Sequence, residues 1–93
     1  MKEQFVRTGM LVGEGGVDAL ASASVIVFGI GGVGSYVTEG LARAGVGRIT
    51  LVDKDTIDIS NINRQLPALH STVGRPKAQV MAERVADINP DCR

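Results

Sequence analysis

Three glycines at a fixed spacing follow a short apolar run near the start of the chain. They are Gly29, Gly31 and Gly34, in the pattern G-x-G-x-x-G, and the apolar run is residues 25–28. In a strand–turn–helix unit these glycines let the chain turn, admit a phosphate to the backbone and allow close helix packing. The helix N-terminus then attracts an anion. The pattern predicts nucleotide binding, with a purely structural turn as the alternative.

An acidic residue follows at the distance that a ribose-binding carboxylate requires. Asp53 ends a second apolar run, residues 49–52, about twenty residues after Gly34. Its carboxylate can accept a hydrogen bond from a ribose hydroxyl, while Gly31 and Gly32 lack the Cβ that would block a phosphate. These residues together predict a nucleotide site at one end of a parallel sheet.

The segment 54–75 is a long loop with room for one helical turn, and loops of that length in a compact domain are usually functional. Three acids are crowded at its start: Asp53, Asp55 and Asp58. Three cations follow before the next acid, Glu83: Arg64, Arg75 and Lys77. The loop therefore changes from acidic to basic along its length.

The cations of this loop favour a triphosphate over a dinucleotide. Arg64 offers a planar fork and Lys77 a compact charge, whereas backbone N–H groups can suffice for a pyrophosphate. Lys77 should lie in the first turn of a helix, where the dipole disfavours a cation unless an anion is near. The alternative is two solvated surface charges. For Asn61, Asn63 and Gln65 the alternative is ordinary turn chemistry.

The elements that must position these residues predict an α/β fold, a Rossmann-like parallel sheet with flanking helices. The predicted order is an irregular arm over residues 1–16, a short helix over 17–23, a strand over 24–28, a helix over 32–44, a strand over 49–52 and a helix from Pro76 to about Asn89. Residues 17–93 would form a βαβα nucleotide-binding unit. We expect residues 1–93 to be the N-terminal portion of one larger domain, cut before a third strand, because two parallel strands leave an edge open.

Apolar spacing predicts which helix faces are buried. The expected stripe of the first long helix is Val33, Val37, Leu41 and Ala44. The expected stripe of the last helix is Ala78, Met81, Ala82, Val85 and Ile88. Leu20 should face inward, Gly40 should mark close packing on the sheet, and Gly45 should end its helix.

Composition limits the remaining possibilities. The 93 residues carry ten cationic and ten acidic side chains, so net charge gives no argument for nucleic-acid or membrane binding. One cysteine, Cys92, excludes a disulfide framework and fits the cytoplasm. We expect it to be inert and His70 to be a loop residue. The first residues show no secretory signal, and no apolar run approaches membrane-spanning length.

Four strings of the chain resemble the adenylating domain of the ubiquitin-activating-enzyme-like superfamily. They are GIGGVGS at 29–35, DKD at 53–55, NINRQ at 61–65 and VGRPK at 73–77. Three further strings resemble its tRNA threonylcarbamoyladenosine dehydratase branch: R-T-x-x-L-x-G at 7–13, N-R-Q-x-x-A-L at 63–69 and M-A-E-R-x-x-x-I-N-P at 81–90. The chain lacks the Arg-Tyr-x-Arg-Gln opening that is typical of the sulfur-carrier branch.

The resemblance implies roles for matching positions. The implied ATP contacts are Gly29, Gly31, Gly32, Gly34, Asp53, Asp55, Asn61, Arg64, Gln65 and Lys77. The implied catalytic residues are Arg64, Lys77 and Arg7, the last reaching the partner subunit's site from the N-terminal arm. No metal ligand is expected within the chain, since the aspartate that holds Mg²⁺ would lie beyond Arg93.

The resemblance also implies a reaction. ATP would activate a carboxylate as an acyl adenylate, most closely in the cyclising dehydration of threonylcarbamoyladenosine in tRNA, within a homodimer. The 93 residues alone are expected to be inactive. Three alternatives stay open: an adenylyltransferase acting on the C-terminus of a ubiquitin-like sulfur carrier, an NAD-dependent oxidoreductase, and a non-catalytic interaction subunit.

Overall fold

A computed structural model describes residues 2–93 and shows a mixed α/β fold. The elements are a 3-10 turn Glu3–Phe5, α1 Val6–Ser22, β1 Ser24–Phe28, α2 Gly32–Ala44, β2 Arg48–Val52, a 3-10 turn Ile59–Asn61 and α3 Lys77–Ile88. The predicted βαβα order and the single helical turn in the long loop are therefore confirmed.

The two strands form a parallel sheet, as the right-handed crossover through α2 requires. Their register runs from Ser24 opposite Arg48 to Phe28 opposite Val52. At the free edge of β2, the Arg93 N–H donates to the Gly47 carbonyl at 3.1 Å, and the Arg93 carbonyl accepts from the Ile49 N–H at 2.9 Å. These two bonds have the pattern of a parallel ladder, so Arg93 lies where a third strand would pair.

The core lies between one face of the sheet and the two helices α2 and α3. Its buried members are Val27, Ile30, Ala42, Val46, Ile49, Met81 and Val85. Since side chains alternate along a strand, the opposite face presents Ile26, Phe28 and Val52, which are exposed. The sheet of this chain is therefore covered on one face only.

The prediction of an irregular arm over residues 1–16 is wrong. α1 begins at Val6 and continues to Ser22, with one non-helical residue, Gly13, whose φ is 76°. Glycine lowers helix propensity by only about 1 kcal/mol each, so the flanking residues still form helical turns. The predicted helix over 17–23 is the second half of α1, and Leu20 packs on the core as expected.

The bounds predicted for α2 are confirmed, but its predicted buried stripe is only partly right, since Leu41 packs against the core and the two valines do not. Val33 is 79% exposed and Val37 45%, while Ser35, Thr38 and Ala42 are buried instead. Small side chains occupy the inner face because the helix lies very close to the turn after β1. The Thr38 hydroxyl is satisfied there by donating to the Gly34 carbonyl at 2.8 Å.

The predicted end of α2 is confirmed, and the predicted buried stripe of α3 is confirmed in part. Gly45 has a φ of 98° and ends α2, as expected. In α3, Met81 and Val85 are buried as predicted, but Ala82 is exposed and Val80 is buried. The long loop explains this difference, because Ile57 and Ala68 pack on Val80 and form a second apolar cluster.

Gly40 lies in open space, so the prediction that it packs on the sheet is wrong: a Cβ there would meet no atom within 4 Å. We expect Gly40→Ala to raise the free energy of unfolding by about 0.5–1 kcal/mol, because alanine loses less backbone entropy in a helix. Urea denaturation measures this.

Gly34→Ala is the matched control in the same helix. A Cβ at residue 34 would lie 1.8 Å from the Gly29 carbonyl oxygen, so this variant should be strongly destabilised. If Gly40→Ala also destabilised the protein, residue 40 would have to be covered in solution.

Candidate nucleotide site

The glycine turn after β1 is built on backbone that other residues would not tolerate. Gly29 has a φ of 90°, in the left-handed region, and its N–H extends the strand pairing to the Val52 carbonyl at 2.8 Å. Gly34 faces the Gly29 carbonyl at a distance that excludes any Cβ. The predicted roles of both glycines in the turn are therefore present in the structure.

α2 begins without a side-chain cap. Its N-cap is Gly31, and the first bond onto the turn runs from the Ser35 N–H to the Gly31 carbonyl at 3.0 Å. Earlier N–H groups of the first turn have no intrahelical acceptor. Together with the positive end of the helix dipole, they can bind an anion such as a phosphate.

Asp53 ties the glycine turn to the end of β2. One carboxylate oxygen accepts from the Ile30 N–H at 2.6 Å and the other from the Asp55 N–H at 2.8 Å. Burial raises the pKa of Asp53, but these two hydrogen bonds and the charge of Lys77 outweigh it and hold the pKa below its usual value. The predicted ribose ligand thus also fixes the turn, and ribose binding stays a prediction.

A second acid orders the start of the loop. Asp58 caps the 3-10 turn: its carboxylate accepts from the Ser60 N–H at 2.9 Å, and the Asp58 N–H donates to Asn61 Oδ1 at 2.8 Å. Hydrogen bonds from the Ser60 side chain and backbone lower the pKa of Asp58. Asn61 is buried, and its side-chain oxygen holds the turn rather than a ligand. Turn chemistry therefore accounts for part of what Asn61 does.

The end of that turn places Arg64 and Gln65 over the glycines. A Cβ on Gly32 would lie 3.6 Å from Arg64 Cγ, and one on Gly31 would lie 4.0 Å from Gln65 Nε2. Gln65 is 7% exposed, and its Oε1 is buried without a hydrogen-bond partner among the described residues. Because buried polar atoms are rarely left unpaired, this oxygen indicates a missing donor.

Lys77 opens α3, as predicted, and is 8% exposed. Its N–H donates to the Asp55 carbonyl at 3.1 Å, beside a bridge between Thr56 and Pro76 that closes the loop. Its ammonium forms no hydrogen bond or salt bridge within residues 2–93, where Gln65 Oε1 is the side-chain atom left buried and unpaired, and the charge of Lys77 lowers the pKa of Asp53 and of Asp58. A lysine cation at a helix N-terminus, with most of its side chain covered, is what a nearby anion would stabilise.

Arg7 is not brought to this site. It lies exposed in the first turns of α1, and the residues around it come from the same N-terminal segment: Glu3, Gln4, Val6 and Met10. Asp55 is exposed and contributes only backbone atoms to the contacts described above. His70 is exposed on the loop, as expected, and burial raises the pKa of the Cys92 thiol, which favours the unreactive form.

Two residues of the site do not appear among the sequence-predicted contacts. Ser35 is fully buried, and its hydroxyl accepts from the Leu66 N–H at 3.2 Å, which fastens the loop to α2. No pattern could have shown this, because the partners lie 31 residues apart. Asp58 could have been found, since an acid three residues before Asn61 is a capping signature.

Two kinds of feature are absent from residues 2–93. No three acidic, histidine or cysteine side chains there are grouped so that they could hold a metal ion. No helix in the same range has the length and hydropathy needed to cross a bilayer.

Comparison with known proteins places this site in a family. The profile of the ThiF family matches residues 5–93, so the chain belongs to the ThiF family. It is 56% identical over 92 residues to the tRNA threonylcarbamoyladenosine dehydratase of Bacillus subtilis, which covers 99% of this chain and 36% of the relative. It is 47% identical over 75 residues to the molybdopterin-synthase adenylyltransferase of Salmonella typhimurium, covering 81% and 30%.

A solved structure has the same fold. The crystal structure of the Escherichia coli tRNA N6-threonylcarbamoyladenosine dehydratase in complex with ATP aligns with a TM-score of 0.96 at 50% identity. The alignment covers 98% of this chain and 37% of that chain. The chain therefore spans about a third of the length of the relatives it matches.

The pKa of Asp53 leads to a pH-dependent prediction. Because it is lowered in the folded state, the carboxylate stabilises the fold above its ordinary pKa of about 3.9, and this is lost as the pH falls through the folded-state value. We expect Asp53→Asn to cost about 1.5–3 kcal/mol at pH 7, since one amide end cannot accept a hydrogen bond.

Chemical denaturation at pH 7 and at pH 3 tests this. The difference in the free energy of unfolding between the parent and Asp53→Asn should be smaller at pH 3 than at pH 7. Asp55→Asn is the matched control, because the Asp55 side chain is exposed and should change stability little. An Asp53→Asn variant as stable as the parent at pH 7 would contradict the role of Asp53 in holding the turn.

Proposed function

We propose that this chain forms the ATP-binding part of an adenylating enzyme. The observation that carries the proposal is the buried, unpartnered Gln65 Oε1 beside the glycine turn, together with the cationic Lys77 at the start of α3. A bound triphosphate would supply charge for Lys77, and the nucleotide or its water shell would supply a donor for Gln65. Similarity to ATP-bound and adenylyltransferase relatives supports the same assignment.

In the proposed reaction, a carboxylate oxygen of the acceptor attacks the α-phosphorus of ATP. The new oxygen–phosphorus bond forms while the bond to the bridging oxygen of the β-phosphate breaks, and pyrophosphate leaves. The free N–H groups of α2 would hold the phosphates. Lys77 and Arg64 would stabilise the negative charge that grows on the leaving group.

For the acceptor, we propose threonylcarbamoyladenosine in tRNA. The support is identity: the relatives of that name reach 56% and 50% over nearly the whole chain, against 47% over 75 residues for the molybdopterin-synthase relative. The threonine carboxylate would be activated as the adenylate. Attack by the modified base's own side chain would then release AMP and close a ring, with net loss of one water.

The N-terminal segment supports a homodimer within the same proposal. Met10 is 75% exposed, Leu11 88% and Val12 50%, and Arg7 lies about one turn before them on the same helix, α1. A two-fold partner would cover these apolar side chains and could receive Arg7 in its own site. We further propose a cytoplasmic location, tRNA-binding cations and a Mg²⁺ ligand outside residues 1–93.

The runner-up is an adenylyltransferase for a ubiquitin-like sulfur carrier, which would use the same nucleotide chemistry on a protein C-terminus. An NAD-dependent oxidoreductase would use the same glycine turn, but the pyrophosphate of NAD offers Lys77 and Arg64 less charge than a triphosphate does. A non-catalytic interaction subunit would have no need of Arg64, Gln65 and Lys77 at the glycine turn.

The test is to incubate the full-length protein with ATP and tRNA that carries threonylcarbamoyladenosine. The tRNA is then digested, and the masses of its nucleosides are measured by mass spectrometry. We expect an ATP-dependent loss of one water. Lys77→Ala should slow this by about 10²–10³-fold with a smaller effect on ATP affinity, because the charge on pyrophosphate builds mainly in the transition state.

Lys54→Ala is the matched control, since Lys54 is exposed and lies just after Asp53. It should react at nearly the parent rate. If the nucleoside mass stayed unchanged while a sulfur carrier's C-terminus became adenylated, the runner-up would replace this proposal. If Lys77→Ala matched the parent, Lys77 would have no role at the leaving group.

A further inference from the structure

An ion pair joins the two helices whose first turns form the site. Arg84 of α3 donates to both oxygens of Glu39 of α2, from Nε to Oε1 at 2.5 Å and from a terminal nitrogen to Oε2 at 2.9 Å. Arg43, on α2 itself, contacts the same carboxylate through Nε at 3.2 Å. Glu39 thus has one partner across the helix interface and one within its own helix.

The pair is partly shielded and fully charged. The Glu39 side chain is 15% exposed and that of Arg84 38%. The hydrogen bond with Arg84 is the main cause that lowers the pKa of Glu39, and the same bond raises the pKa of Arg84. A pair this exposed contributes little energy, but two parallel hydrogen bonds fix the relative direction and height of both side chains.

The apolar contacts between these helices are less directional than the ion pair. Ala42 of α2 is small, and Met81 of α3 is an unbranched side chain that adapts to its surroundings. The two-bond contact between Glu39 and Arg84 has a fixed geometry and therefore defines the relative height of the two helices.

The pair stands at the same height on both helices relative to the site. Glu39 lies seven residues after Gly32, where α2 begins, and Arg84 lies seven residues after Lys77, where α3 begins. At 1.5 Å per residue, each distance along the axis is about 10.5 Å. A shift of either helix at the pair is therefore transmitted to the spacing between the glycine turn and Lys77.

We propose that the Glu39–Arg84 pair is a positioning device, which sets the distance between Lys77 and the phosphate-binding turn. The inference rests on the proposed function, because it assigns Lys77 to the leaving pyrophosphate. Interface helices shift by about 1–2 Å when contacts change. A displacement of about 1 Å at a reacting group can cost about 10²-fold in rate.

The test uses the full-length protein with Arg84→Lys, which keeps the charge but cannot make two parallel bonds. Glu39→Gln is the second variant, in case the first folds poorly. Arg43→Lys is the matched control, because it changes the same kind of contact to the same carboxylate within α2 alone. Each variant is assayed for dehydration of the modified tRNA at a temperature below the melting temperature of that variant.

A second measurement does not depend on the reaction. Spin labels are attached at Tyr36→Cys and Gln79→Cys, both exposed near the starts of α2 and α3, after replacement of Cys92 and of any other cysteine in the full-length protein by serine. Pulsed electron resonance then gives the distribution of distances between the two helix starts. We expect Arg84→Lys and Glu39→Gln to shift or broaden it by about 1–2 Å.

The expected result combines both readouts. Arg84→Lys should lower kcat about tenfold to 10²-fold with little change in the KM for ATP, and Arg43→Lys should stay within about twofold of the parent. Unchanged label distances in both variants, or changed distances with an unchanged kcat, would overturn the inference. A parent without dehydration activity would refute the proposed function instead, and the label distances would still decide whether the pair sets the spacing.

Discussion

The closeness of α2 to the turn after β1 is the constraint on which the rest of the structure depends. A Cβ at Gly34 would stand 1.8 Å from the Gly29 carbonyl oxygen, so backbone meets backbone where side chains would normally separate two elements. This contact brings the N-terminus of α2 to the end of the sheet. It also explains why the inner face of the helix carries Ser35, Thr38 and Ala42 rather than larger apolar residues.

The long loop, residues 54–75, lies against this turn and is held there by several hydrogen bonds. Asp53 bonds to the turn, Ser35 bonds to the loop near Gln65, and the Asp58 cap orders its first residues. Further along, the buried Thr72 hydroxyl donates to the Pro67 carbonyl at 2.6 Å. The polar side chains that reach the turn are thus held in place before any ligand binds, which lowers the cost of binding.

Local patterns of the sequence were sufficient for the elements from β1 onward and for bringing most of the candidate site residues into one region. The glycine spacing, the acid at Asp53 and the cation at Lys77 all act through backbone geometry or short-range charge, and the structure brings these residues together. Burial was harder to predict. Val33 and Val37 look like a core stripe, but only the tertiary packing shows that their side of α2 faces away from the sheet.

Contacts between distant residues were not predictable from one sequence. The Ser35 bond to Leu66 and the Glu39 contact with Arg84 join segments 31 and 45 residues apart, and neither has a local signature. The N-terminal segment failed for another reason. Its glycines suggested an irregular chain, yet only Gly13 leaves the helical conformation.

In the proposed function, the loop makes a general glycine turn into a triphosphate site. Calorimetry of the full-length protein with ATP and, separately, with NAD tests this most directly. We expect ATP to bind at least about tenfold tighter, a difference of about 1.4 kcal/mol in binding free energy, because the triphosphate of ATP offers Lys77 and Arg64 more negative charge than the pyrophosphate of NAD does. Equal affinities, or tighter binding of NAD, would contradict it.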